Sequence, residues 1–196
     1  MPDYILQLQN ITKIFPGVKA LDNVTFDVQR GHVHALVGEN GAGKSTLIKI
    51  ISGVYPNGTY DGKVLFDGQE CKFRSIKDVE RTGIACIHQE LNLVPDMSVS
   101  ENIFINNQPS KMGVIDFDKL YYQTVELLKR VGLDTNPNEL VRNLGTGKQQ
   151  LVEIAKALSR DVKLLLLDEP TASLTEAEVD ILLDMVDKLR RQGVTC

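Results

Sequence analysis

Apolar and polar positions alternate over Val24-Thr25-Phe26-Asp27-Val28, which predicts a half-buried strand that turns at Arg30-Gly31. The next run, His32 to Val37, is more uniformly apolar and predicts a strand buried on both faces. It leads into a glycine-rich segment, Gly38 to Gly43, after which Lys44 to Ser52 predicts a helix with Gly53 as its stop. Lys63 to Phe66 and Gln69 to Phe73 flank Asp67-Gly68 and predict a hairpin. A helix from about Ser75 to Thr82 then leads to a buried strand, Ile84 to Ile87.

Beyond this point the period changes to helical. Ser98-x-x-Glu101 and Asp116 mark helix starts, and Leu120, Thr124, Leu127, Leu128 and Val131 form one apolar stripe ended by Gly132. Leu151, Ile154, Ala155 and Leu158 form a second. A strand from Lys163 to Leu167 follows, then a long helix from near Thr175-x-x-Glu178 to Gly193. Strands alternating with helices and interrupted by a helical stretch predict an α/β core, residues 1–95 and 161–196, with an inserted helical subdomain at 96–160. Val194-Thr195-Cys196 reads as the opening of another strand, so the 196 residues are expected to be one domain, incomplete at its C-terminus. There is no internal repeat.

Composition removes several classes of function. Lys and Arg number 22 against 26 Asp and Glu, a net charge of -4, which argues against non-specific nucleic-acid binding. The longest aliphatic run, Leu164 to Leu167, falls far short of the roughly 20 residues a membrane helix needs. Met1-Pro2-Asp3 lacks the basic start of a secretory signal, and the three scattered cysteines (Cys71, Cys86, Cys196) fit neither a disulfide framework nor a zinc site. A reducing cytosol is the expected home.

The chemistry sits at two places. Gly38-Glu39-Asn40-Gly41-Ala42-Gly43-Lys44-Ser45 has the spacing of a phosphate-binding loop. Gly38, Gly41 and Gly43, with Asn40 between them, let backbone N–H groups approach polyphosphate oxygens, and the following helix turns its positive end to the same anion. Lys44 supplies a charge to the terminal phosphates, Ser45 a hard oxygen for Mg²⁺ and Thr46 a hydroxyl beside the α-phosphate. Downstream, Leu164 to Leu167 delivers Asp168 and Glu169 to the carboxyl end of a buried strand. Asp168 suits water-mediated Mg²⁺ binding, and Glu169 suits polarising an attacking water. The pair argues for hydrolysis.

With three further motifs in order, the whole chain resembles the ATP-binding-cassette family. Gln89 matches that family's Q-loop glutamine. Leu144-Gly145-Thr146-Gly147-Lys148-Gln149-Gln150 resembles its signature loop, and Ser173-Leu174-Thr175 its D-loop. Phe15, ahead of Pro16-Gly17, stands where the family stacks an aromatic ring on adenine. The resemblance implies a P-loop NTPase core of the RecA-like kind, with an antiparallel β subdomain and an inserted α-helical subdomain. It also implies that Gln89 touches Mg²⁺ and senses the transport partner. Gly145 and Gly147 would grip the γ-phosphate of ATP held by a second cassette. The usual signature Leu-Ser-Gly-Gly-Gln is altered here: Gly145 replaces the serine, Thr146 follows, and Lys148 stands in for the glutamine. The family's switch histidine is expected beyond Cys196. His88 reads as structural, and His32 and His34 as packing or solvated residues.

Within the family, Gly38-Glu39-Asn40-Gly41, Ile87 to Leu91, Leu151 to Leu158 and Asp168 to Thr175 resemble the monosaccharide importers, which carry two cassettes in tandem. The tract Tyr55-Pro56-Asn57-Gly58-Thr59-Tyr60-Asp61-Gly62 is similar to the xylose-import members, and this chain matches their first cassette. The implied activity is ATP hydrolysis coupled to sugar import, with ATP and Mg²⁺ bound. The implied partners are permease subunits, a second cassette and, indirectly, a periplasmic sugar-binding protein, with no nucleic acid. The implied location is the cytoplasmic face of the cell membrane. The 196 residues alone are expected to bind ATP–Mg²⁺ and to turn it over poorly. Two other readings stand beside this one: a non-transport cassette acting on ribosomes or DNA, and a P-loop kinase with a small acceptor.

Overall fold

The computed structural model describes residues 3–88, 91–169 and 175–196. They fall into two compact units, one of Met1–Cys86, Val162–Asp168 and Val186–Cys196, the other of Ile87–Asp161 and Glu169–Met185.

The first unit is built on an antiparallel sheet. β1 (Tyr4–Phe15) turns through Pro16-Gly17 into β2 (Val18–Gln29), and β3 (Asp61–Phe66) and β4 (Gln69–Cys71) complete the order β2-β1-β3-β4. The β1–β2 register slips at several points, with Asn10 and Asn23 held at φ 54 and 52. The displaced amides are not lost. Asn10 N–H donates to Thr25 Oγ1 at 3.1 Å and Asn23 N–H to Thr12 Oγ1 at 2.9 Å. Asp67 and Gly68, at φ 54 and 76, form the left-handed turn that matches strand twist between β3 and β4. Beneath the sheet, Ile5, Leu6, Leu8, Ile11, Val64 and Phe66 pack with Leu47, Ile50 and Ile51 of α1 (Lys44–Ile51). Each such burial stabilises by about 1.5–3 kcal/mol.

A second sheet follows. Ser75 caps α2 (Ile76–Thr82), and Gly83, at φ 94, releases the chain into β5 (Ile84–Ile87), which pairs with β8 (Leu164–Leu167). Thr195 lies in parallel beside Leu164, giving its carbonyl to the Leu165 N–H and donating its own N–H to Lys163 O. On its other side Cys196 donates to His32 O and accepts from His34 N–H, the bond pattern of a parallel pair.

This pairing corrects the expectation for His32–Val37. The segment is not a strand buried on both faces: among the described residues its backbone pairs at His32 and His34 only, on one side, with Cys196. Val33, Leu36 and Val37 are exposed, Val37 to 88%.

The second unit is helical. α3 (Val99–Ile103), α4 (Phe117–Val131) and α5 (Thr146–Leu158) pack on one another, with a small hairpin, β6 (Ser110–Lys111) and β7 (Val114–Ile115), before α4. The ends follow the sequence signals. Ser98 and Glu101 form a reciprocal capping box on α3. Asp116 accepts the Lys119 N–H at 3.0 Å, and Gly132 ends α4 at φ 73. Leu120, Thr124, Leu128 and Val131 are buried as one stripe, and Leu151, Ile154, Ala155 and Leu158 as another. α6 (Glu176–Arg191) starts in this unit and ends in the first. No helix among the described residues is long and apolar enough to cross a membrane.

Asn102 holds the entry to this bundle. Its side chain is fully buried. Oδ1 accepts the Val94 N–H at 2.7 Å, and Nδ2 donates toward Val94 O, Met97 O and Ser98 O at 3.0–3.3 Å. Asn102→Ala strands these groups without water and is expected to cost at least about 2 kcal/mol. Urea unfolding monitored by circular dichroism measures it.

Candidate nucleotide-binding site

The phosphate loop is set by glycine geometry. Gly41 and Gly43 stand at φ 88 and 93, and Gly43 begins α1 with no side-chain cap. At Gly43 a Cβ would meet Ala20 O at 2.5 Å and Leu21 Cδ2 at 2.8 Å. The loop is therefore pressed against β2 at a point where only glycine fits. Ala42 N–H donates to Glu39 O at 3.1 Å and closes the turn. Lys44 Nζ donates to Gly38 O at 2.8 Å and Glu39 O at 3.0 Å, folding the ammonium back over its own loop. Gly38, Asn40, Gly41 and Ser45 are exposed; Gly43, Lys44 and Thr46 are half-buried. The uncapped start of α1 and the Lys44 ammonium together make a seat for an anion.

Asp168 shares this edge. It follows β8 directly and is half-buried. β8, residues 194–196 and the segment from His32 run in parallel, so the chain after Leu167 and the chain after Val37 leave the sheet at the same end. Phe15, at the end of β1, is half-buried, and its strand partner Val18 lies two residues before the Ala20 that meets Gly43. Phe15, the loop residues Gly38 to Thr46 and Asp168 thus all belong to the first unit. Glu169, Gly145 and Gly147 belong to the second. Gln89 lies outside the described residues, as do Ser173 and Leu174 of the D-loop-like run.

Glu169 is exposed, and its backbone stands at φ 49, a left-handed conformation that costs a non-glycine residue about 1–2 kcal/mol. In the signature-like loop, Gly145 precedes α5 without a side-chain cap, while Gly147 is buried. Gly147 N–H donates to Glu178 Oε1 at 3.2 Å, and a Cβ there would collide with that carboxylate. Glu178 also accepts from the Thr175 N–H at 2.9 Å and hydroxyl at 2.8 Å. These donors hold its carboxyl below the usual range, led by the Thr175 N–H. The Thr175-x-x-Glu178 spacing signals the cap on α6 but not the second grip on Gly147. His34 Nε2 accepts the Gln29 N–H at 3.0 Å, a packing role.

Two residues of α5 that the motifs do not single out hold the chain just past Gln89. Glu153 is 6% exposed; its Oε1 accepts the Asn92 N–H at 3.1 Å, and its Oε2 has no partner among the described residues. One turn on, Lys156 Nζ donates to Asn92 O at 2.7 Å. Both backbone groups of Asn92 are thereby held by side chains from a single helix. Burial pushes the Glu153 carboxyl up, against the pull of the Asn92 N–H and the charges of Lys156 and His88.

Known proteins resemble this chain. The ABC transporter family profile matches residues 21–172. The chain is 59% identical over 196 residues to the xylose import ATP-binding protein XylG of Moorella thermoacetica, covering all of this chain and 39% of that one. It is 57% identical over 195 residues to the L-arabinose transport ATP-binding protein AraG of Geobacillus stearothermophilus, covering 38% of it. It spans about two-fifths of the length of these relatives. A dimeric post-hydrolysis state of the ATP-binding cassette MJ0796, bound to ADP and Pi, superposes with a TM-score of 0.76 at 26% identity, over 97% of this chain and 85% of that one.

The Glu153 carboxyl gives a pH prediction. An acid whose folded pKa is raised adds stability below its ordinary value of 4.5 and loses it as pH rises through the folded value. Glu153→Gln, which cannot ionise, is expected to gain stability relative to the parent as pH rises from about 4 to 8. Thermal unfolding of both proteins across that range checks this; a constant difference contradicts it.

Proposed function

Starting from the ABC transporter family, to which this chain belongs, we propose that it is an ATP-binding and ATP-hydrolysing cassette that energises import of a pentose through a membrane permease. The observation that carries this reading is the uncapped, glycine-shaped anion seat at Gly38–Ser45, with Lys44 folded over it and Asp168 at the same end of the sheet.

ATP would lie with its base on Phe15 and its phosphates against the N–H groups of the loop, with Asn40 and Thr46 at its sides and Lys44 turned from its own carbonyls onto the terminal phosphates. The residues suit magnesium. Among the described residues no cluster of three His, Cys, Asp or Glu could hold a metal unaided. Mg²⁺ characteristically combines one or two protein oxygens with substrate phosphates. Ser45 and Asp168 supply such oxygens, and Gln89 is the third contact we assign. When bound, the ion offsets charge between the phosphates. Glu169 orients and polarises the attacking water, and the left-handed backbone there sets the direction of its side chain.

Hydrolysis needs a partner. Gly145 and Gly147 are assigned to the phosphate of ATP held by a second cassette, a reading supported by the dimeric state of MJ0796. We assign the nucleotide core to residues 1–95 and 161–196 and the lever against the permease to residues 96–160, with Gln89 as its sensor. The names of the XylG and AraG relatives support a pentose as cargo, delivered by a periplasmic sugar-binding protein. The chain would work at the cytoplasmic face of the membrane.

Two substitutions test this in the protein at its natural length. Lys44→Ala is expected to weaken Mg·ATP binding roughly tenfold to a hundredfold. Glu169→Gln is expected to bind ATP normally while turnover falls by about a hundredfold or more. Isothermal titration and phosphate release give the two readouts; unchanged turnover in Glu169→Gln would remove Glu169 from its role.

A further inference from the structure

Lys13 is a buried cation in an unexpected place. Its side chain is only 7% exposed, yet it lies on β1 two residues before Phe15 and on the same face, with exposed Ile14 between them on the other. Its ammonium sits 5.1 Å from the centre of the Phe15 ring and 5.0 Å from that of Tyr55, and it donates a hydrogen bond to Thr59 O. The two rings meet edge to face, with centres 5.6 Å apart and planes at 62°. Among the described residues it has no carboxylate partner; two ring faces and one carbonyl satisfy the charge. Burying an ammonium in this way is costly, so a core position of this kind would ordinarily hold leucine or methionine.

The second ring is not loose either. Tyr55 N–H donates to Lys49 O of α1 at 2.9 Å. The tract that follows is turned by Thr59 N–H and Thr59 Oγ1, both bonded to Pro56 O at 3.1 and 2.9 Å, which presents Thr59 O to Lys13. A line of contacts therefore runs from Phe15 through the Lys13 ammonium to Tyr55, and from Tyr55 to the helix that begins with Lys44.

We propose that Lys13 is a positioning residue for the nucleotide base: its ammonium, held between the Phe15 and Tyr55 rings, fixes the Phe15 ring as a shelf in register with the phosphate loop. This rests on the reading of Phe15 as the base contact and adds to it. A half-exposed phenylalanine beside a Pro-Gly turn has free rotamers, and ordering it on binding would cost affinity; a cation on one ring face removes that freedom in advance. The effect is confined to the base, since Lys13 has no bond to the loop that holds the phosphates.

The test compares binding of Mg·ATP with binding of Mg·tripolyphosphate, which has no base, in the protein at its natural length. Lys13→Met keeps the stem and removes the charge. It is expected to weaken ATP about fivefold and leave tripolyphosphate unchanged, while Lys13→Arg keeps most of the ATP affinity. Equal loss of both ligands, or no loss of ATP, overturns the proposal. Should Lys13→Met not fold, Tyr55→Leu decides: it removes the second ring and is expected to lower ATP affinity alone, and an unchanged ATP affinity overturns the proposal. Phe15→Ala separates the two readings. If it leaves ATP binding intact, the base contact itself is wrong; if it weakens ATP while Lys13→Met does not, only the role of Lys13 falls.

Discussion

A single close approach governs the site. At Gly43 the backbone of the phosphate loop lies against Ala20 and Leu21 of β2, nearer than any side chain allows. That contact fixes where α1 begins, and so where its free N–H groups and Lys44 converge. It also joins the loop to the β1–β2 hairpin near its turn, where Phe15 stands. Without the missing Cβ, helix and hairpin would be separate elements that happen to lie in one unit. With it they form one rigid frame.

The helical unit solves a different problem. Residues 91–97 form no regular strand or helix to satisfy their backbone, and side chains do that work instead. Asn102 closes both polar groups of Val94, and the Glu153–Lys156 pair closes both of Asn92. Side chains here take the place of a sheet neighbour. A segment held in this way has a defined path without a fixed secondary structure, and its attachment to α5 ties it to the helix that follows the signature-like loop.

Much of this could be read from residues alone, and the exceptions have physical causes. The capping box at Ser98, the cap at Asp116, the stop at Gly132 and the Asp67-Gly68 turn are local devices, complete within a few positions, and each stands where the sequence places it. The phosphate loop is legible for the same reason. β1 is not, because its register slips near Asn10 break the two-residue period that marks a strand. The burial of His32–Val37 depends on partners over 150 residues away in the chain, which periodicity does not carry. Lys13 and Tyr55 are 42 positions apart and no spacing links them; only the alternation Lys13, Ile14, Phe15 hints that the lysine faces inward. Long-range pairings are where the sequence stops speaking.

The carboxylate of Glu178 is a resident anion at the head of α5, seated on the Gly147 amide. Under the proposed role of Gly147, a phosphate drawn to that amide would arrive at an occupied berth, and the contact would be an exchange of one negative guest for another. Its driving force is the difference between two similar attractions rather than the whole of either. Such a grip would close with little net gain and let go as readily, which suits the reopening clamp proposed above.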